Sequence, residues 1–314
     1  MNKEKLKYYE KLDQKNESNN TSMIPLSFEF LVKSLFERKP KFLRMFLNSQ
    51  LKSSLNIDFE DENISVRISN NDLPKENKHE HYNKVDILLY AGDKTIINIE
   101  INTESFKSIF GRNFFYFLKL TVSTFKSGEE SKNIKEYTVH QLNINTNKVD
   151  KKYGYKDIRP FEEESFGDLI DELGDYIIHV KNIAYYYNLY YNEHEKLNDS
   201  EMWLLIFSAR SYSELYELLS NLLNEEDTEE FMEEMEKLNS EDFVLSEWER
   251  KQLDQMVIDN QINEAKEEGI EIGEESGIQK TRVETAKEMI KENMDTQLIS
   301  KITHLTEEEI ENLK

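Results

Sequence analysis

Cysteine is missing from the 314-residue sequence. That excludes disulfides, thiolate nucleophiles and sulfur-built zinc sites, and it fits a reducing compartment; any bound metal must take oxygen or imidazole ligands. Long apolar runs are missing too, since no stretch approaches the roughly 20 residues needed to cross a bilayer. Residues 1–20 are polar, rich in Lys, Glu and Asn, with no apolar segment that could serve as a signal peptide. A soluble, cytoplasmic protein with no membrane partner is expected. Also absent are a Gly-rich phosphate loop, a zinc spacing and a Ser-His-Asp arrangement.

Positive charge is scarce overall, with a net of −23. Phosphate binding depends on Lys and Arg displacing counterions, so this balance argues against a nucleic-acid partner at first sight. The distribution reverses that argument for one half of the chain. Residues 1–150 carry 23 Lys plus Arg against 21 Asp plus Glu, whereas residues 151–314 carry 17 against 42. A near-neutral first half can hold a basic cleft, while the second half is a poor DNA surface.

What is present is enough apolar material for a core: 38% hydrophobic residues, with 17 Phe and 16 Tyr. Apolar residues at Phe28, Leu31, Val32, Leu35 and Phe36, and again at Phe42, Leu43, Phe46 and Leu47, recur at helical spacing. They predict two helices, the second starting near Pro40. Ile64 to Ile68 alternates as a strand. Val85–Tyr90 and Thr95–Asn102 are β-branched runs separated by Ala91-Gly92-Asp93-Lys94, a hairpin signal. Phe106–Phe125 reads as a helix carrying Arg112, Tyr116 and Lys119, and Tyr137–Ile144 as a further strand. This order predicts an α/β core with a mixed sheet.

From about Asp150 the pattern becomes helical, with short helices expected around Leu169–Asn188, Trp203–Phe207, Tyr212–Leu223 and Phe231–Leu238. Ser246–Asn293 lacks both Pro and a turn cluster, which predicts one long helix. Gly269, Gly273 and Gly277 lie on it four residues apart and mark either close packing against another helix or a hinge. The chain ends in a short helix, a turn at Thr303-His304 and a second helix opened by Thr306 with Glu309 three residues on, a capping box. Its many Glu residues favour packing or assembly over DNA reading.

The chemistry is carried by the hairpin. Asn98, Glu100 and Asn102 share one strand face, and Ile97, Ile99 and Ile101 the other. A three-residue loop, Gly92 to Lys94, pairs Ala91 with Thr95 and therefore sets Asp86 opposite Glu100. Cross-strand Cβ atoms lie about 4.5–5.5 Å apart, close enough for two carboxylates to share one hard cation. Mg²⁺ (or Mn²⁺) accepts such a site, completing its oxygen shell with water and substrate phosphate, and the backbone carbonyl of Ile101 offers a further ligand.

The segments FEFLVKSLF, KVDILLY and IINIEIN, with the helix from Arg112 through Tyr116 to Lys119 and then Gly128-Glu129, together resemble the recombination-promoting nucleases, also called PD-(D/E)XK nuclease family transposases. The likeness spans roughly residues 23–225, and the Gly-spaced helix and closing hairpin are similar to that family's tail. The resemblance implies a restriction-endonuclease-like mixed sheet flanked by helices over 23–225, followed by an acidic all-α region over 226–314. It implies a DNA endonuclease with a divalent metal at Asp86 and Glu100, an acidic residue near the site at Glu29, and Lys33 beside it. The departure is Asn102, where the superfamily has Lys and this family often Gln. Arg112 or Lys119 is the alternative source of positive charge.

The same residues have plainer readings. Arg112 and Lys119, two helical turns apart, face either a DNA backbone or the acidic half of the chain. His79 and His81 sit in a polar loop and read as solvated, with His140 distant in sequence, and the Tyr185–Tyr187 run with Tyr190 and Tyr191 reads as helix packing. Two functional classes therefore stand: a Mg²⁺-dependent DNA endonuclease, or a nuclease fold that has lost catalysis and binds DNA or protein. Self-association through the C-terminal helix is a further expectation.

Overall fold

The computed structural model describes residues 1–19, 21–69, 84–103, 106–123, 138–146, 154–158 and 176–314. Met1–Trp248 forms one compact unit and Glu249–Lys314 a second.

The first unit is built on a six-stranded mixed sheet. Its strands are β1 (Val66–Ile68), β2 (Ile87–Ala91), β3 (Thr95–Asn102), β4 (Thr138–Asn145), β5 (Tyr155–Ile158) and β6 (Tyr176–Asn182), in the order β1-β2-β3-β4-β6-β5. The central pairs β3/β4 and β4/β6 are parallel, and the three others are antiparallel. Fully sandwiched strands read as continuous β-branched runs, which is why TIINIEIN is buried along its whole length. The hairpin register follows the loop length: Ala91 pairs with Thr95 and Ile87 with Ile99. Gly92 supplies the left-handed φ of +63° that the tight connection requires.

One sheet face packs on a helical layer made of α1 (Lys3–Ser18), α2 (Glu29–Arg38), α3 (Pro40–Leu55), α5 (Ile183–Tyr187), α6 (Asp199–Leu205), α7 (Tyr212–Leu222) and α8 (Glu225–Asn239). The opposite face is covered by α4 (Phe106–Ser123), whose Tyr116, Phe117 and Leu120 meet Leu88, Ile96, Val139 and Ile178. Pro40 opens α3, where a missing N–H costs nothing and the fixed φ suits the helix, and Asn56 closes it in the left-handed region at φ 52°. Arg44 on α3 donates to the carbonyls of Phe59, Asp61 and Ile64, holding the approach to β1.

One expectation needs correction. The helical reading from Leu169 to Asn188 fails over Tyr176–Asn182, which is an interior strand followed by helix from Ile183; its first part, 169–175, lies outside the described residues. A buried parallel strand is as uniformly apolar as a buried helix, and the tyrosines that follow at 185–187 carried the helical signal backward. The polar leader is itself structured as α1. Its Asp13 carboxylate accepts from the N–H groups of Tyr212 and Ser213 at the start of α7, and Tyr9 is buried against Tyr212 and Tyr216.

The second unit contains most of α9 (Asp242–Lys291), then α10 (Thr296–Thr303) and α11 (Glu307–Glu311). The long helix, the turn at His304 and the Thr306/Glu309 capping box are as expected. A small core of Ala286, Ile299, Leu305 and Ile310 joins the end of α9 to α10 and α11. Gly269, Gly273 and Gly277 lie in uninterrupted helix with open space where a Cβ would stand. No described helix is long and apolar enough to cross a membrane.

Candidate active site at the hairpin and the amide ladder

Asp86 lies one residue before β2, a single step beyond the Ile87/Ile99 pair, which brings it level with Glu100. The two are tied through the backbone. Asp86 Oδ2 accepts from the N–H of Ile101 at 2.7 Å, and the Asp86 N–H donates to the Glu100 carboxylate. Glu100 is 1% exposed. Burial raises its carboxyl well above the ordinary range, the Asp86 charge raises it further, and hydrogen bonding from Asn98 and the Arg112 charge oppose this.

The sequence expectation thus holds for the geometry of Asp86, Glu100 and Asn102 on one sheet face. It missed what surrounds them. Asn98, Glu100 and Asn102 on β3 stand beside Gln141, Asn143 and Asn145 on β4, and all six are buried. Asn98 Nδ2 donates to Glu100 Oε1 at 3.0 Å and to Gln141 Oε1 at 3.2 Å. Gln141 Nε2 donates to the Asn113 backbone carbonyl at 2.8 Å and to Asn143 Oδ1 at 3.2 Å. From α4, Asn113 Nδ2 donates to Asn143 Oδ1 at 3.0 Å and Asn102 Oδ1 at 3.1 Å. Arg112 Nη2 donates to Asn102 Oδ1 at 3.4 Å. A signal for the β4 half was present: QLNIN places polar residues at alternate positions, as NIEIN does.

The remaining candidates lie elsewhere in the hydrogen-bond pattern. Glu29 opens α2, and Lys33, one turn on, is 3.9 Å from Glu37. Lys119 lies over the Phe115 ring at 5.0 Å. Glu100 is joined to Arg112 through Asn102, whose Nδ2 donates to the Glu100 backbone carbonyl at 3.5 Å, and from its carboxylate through Asn98, Gln141 and Asn113, whose Oδ1 accepts from Arg112 Nε at 3.5 Å. His79 and His81 lie outside the described residues. His140 is on the opposite sheet face, where its Nδ1 is 2.9 Å from His179 Nε2, and His179 Nδ1 is 2.9 Å from Asp157. Burial lowers the His179 imidazole, against the pull of Asp157.

Among the described residues there is no cluster of three or more His, Cys, Asp or Glu able to cage a metal by itself. A pair of hard carboxylates, one of them desolvated and repelled by the other, nevertheless fits Mg²⁺, which is held by one or two carboxylates with water and phosphate completing its shell.

A mixed sheet with a hairpin that converges an Asp and a Glu, covered on that face by a basic-residue-bearing helix, defines a nuclease-like α/β protein. The chain belongs to the PD-(D/E)XK nuclease family transposases, whose family model matches residues 28–265. No curated protein and no solved structure matches it.

Proposed function

We propose that the chain is a DNA endonuclease dependent on Mg²⁺ or Mn²⁺, hydrolysing phosphodiester bonds at Asp86 and Glu100. The observation that carries this is the convergence of the two carboxylates at the open end of the hairpin, with Glu100 desolvated beside Asp86. Asp86 and Glu100 would hold the ion, with the Ile101 carbonyl at the same strand end as a further ligand. The bound ion would supply polarisation of the phosphate and activation of the attacking water. Asn98 holds the Glu100 carboxylate in place, and Arg112 beside Asn102 sets a cation at the same face. Glu29 and Lys33 at the start of α2, and Lys119 two turns beyond Arg112, are proposed as outlying contacts to the strand.

Purified protein incubated with supercoiled plasmid and Mg²⁺ is expected to nick it, EDTA to stop the reaction, and Asp86→Ala to lower the rate at least about 100-fold. Binding of DNA by the native chain with no nicking in Mg²⁺ or Mn²⁺ would instead favour the non-catalytic reading, for which the neutral Asn102 is the motive.

Self-association is proposed through α9. Leu253, Met256, Val257, Ile258, Ile262, Ile270, Ile272 and Ile278 are exposed on it, and association with a second copy would take part of this apolar surface out of water. The native chain is expected to sediment above monomer mass, and the double substitution Ile262→Asp with Ile272→Asp at monomer mass. Equal masses would remove the proposal.

A further inference from the structure

Glu100 is reached from β4 by a chain of buried side chains that ends on a backbone atom. Asn98 and Gln141 are register partners on β3 and β4, and both are fully buried. A backbone carbonyl only accepts, so Gln141 must present Nε2 to the Asn113 carbonyl at 2.8 Å; the same Nε2 also donates to Asn143 Oδ1 at 3.2 Å. Gln141 Oε1 is thereby turned to Asn98, whose Nδ2 donates to it at 3.2 Å and to Glu100 Oε1 at 3.0 Å.

The oxygen of Asn98 is left bare by this arrangement. Its Oδ1 is buried and has no hydrogen-bond partner among the described residues. A buried acceptor left unmet costs stability, so the amide is held in an orientation that does not serve its own burial. It serves the two acceptors, Gln141 Oε1 and the Glu100 carboxylate. The Asn98 to Glu100 bond joins two side chains that both rotate, and neither can anchor the other. Gln141 ties the pair to the main chain of α4, while the Asp86 N–H holds the carboxylate from the β2 side. We propose that Gln141 is a positioning residue for Glu100: by fixing the Asn98 amide it keeps the carboxylate in the orientation that receives the divalent ion. The inference rests on the nuclease reading above and deepens it. Gln141 acts only through Asn98, and groups that orient a metal-binding carboxylate typically set its affinity for the ion by about 10–100-fold.

Mn²⁺ affinity without DNA, read from the electron paramagnetic resonance signal of the free ion, tests this apart from cutting. Gln141→Met keeps the length of the side chain and removes its amide. It is expected to bind Mn²⁺ about tenfold more weakly per folded molecule, the folded fraction being taken from a thermal melt. Asn98→Ala is expected to lose about as much, and the double variant no more than either alone, because each breaks the same chain. A merely structural role for Gln141 would make the two losses add. Gln141→Glu keeps an oxygen toward Asn98 and, neutral at so buried a place, a hydroxyl toward the Asn113 carbonyl; it should bind within about threefold of native, and it decides the case if the Met variant does not fold. Native affinity in Gln141→Met, losses that add in the double variant, or a loss of about tenfold in Gln141→Glu would overturn the inference alone. Failure of the native chain to bind Mn²⁺ at all would overturn the nuclease reading and the inference with it.

Discussion

Replacing Glu100 with Gln is expected to abolish plasmid nicking and, in the same preparation, to make the metal-free protein more stable. The variant keeps the side chain's shape and its acceptor for Asn98, but removes a negative charge that is buried and faces Asp86. On the proposed reading Glu100 holds the metal, and loss of such a carboxylate forfeits several kcal/mol of charge stabilisation, at about 1.4 kcal/mol per factor of ten. Nicking should therefore fall at least about 1,000-fold. The stability gain is expected as a rise in Tm of about 2–4 °C in EDTA, corresponding to about 1 kcal/mol.

The pH dependence fixes the sign. Glu100 has its folded-state carboxyl raised, so the neutral form's contribution to stability is full below the unfolded pKa, about 4.3, and is lost as pH rises through the folded value. The gain in Tm for Glu100→Gln should thus be present at pH 8 and shrink in acid, below the folded value. Mg²⁺ should raise the Tm of the native chain by mass action and leave the variant unmoved. A variant that melts below the native protein in EDTA at pH 8, or that still nicks DNA, would show that Glu100 is an ordinary structural carboxylate.

The hairpin was legible because its register follows from counting: three loop residues and a period of two leave Asp86 only one partner. Helices α2 and α3 were legible because their apolar stripes recur at helical spacing and Pro40 marks a start. The amide ladder was harder to see. Polar residues on a strand usually mean a solvated face, and here Asn98, Gln141 and Asn143 are sealed under α4. Their satisfaction depends on Asn113, and which residue of a helix meets which rung of a sheet is set by tertiary docking, not by any local period. Likewise α1 has a single buried residue, Tyr9, and is held by contacts with α7 more than 190 residues away, among them Asp13 to Tyr212 and Ser213. Local sequence carries no trace of such a partner.

Phe46→Ala is expected to have the largest effect on stability and almost none on chemistry per folded molecule. Phe46 is fully buried in the helical layer, with ring centroids 5.8 Å from Phe36, 6.0 Å from Trp203 and 5.8 Å from Phe207. It therefore joins α2, α3, α6 and the turn that follows α6 at one point. Truncation leaves a cavity among large rigid rings that cannot collapse inward, so the cost should lie near the upper part of the usual 3–5 kcal/mol for a buried Phe. That is a large share of the 5–15 kcal/mol by which a domain is normally held folded. Phe46→Leu, which keeps most of the volume, should cost less than half as much. The layer lies against the isoleucine face of β3, opposite Glu100, Asn102 and the amide ladder. Below the variant's melting range, nicking per folded molecule should accordingly stay within about twofold of native, since the site's geometry is set by the sheet and α4. Denaturation curves and rates measured on one sample decide this. A rate that falls in step with the loss of stability would mean that the helical layer, and not the sheet alone, holds the two carboxylates together.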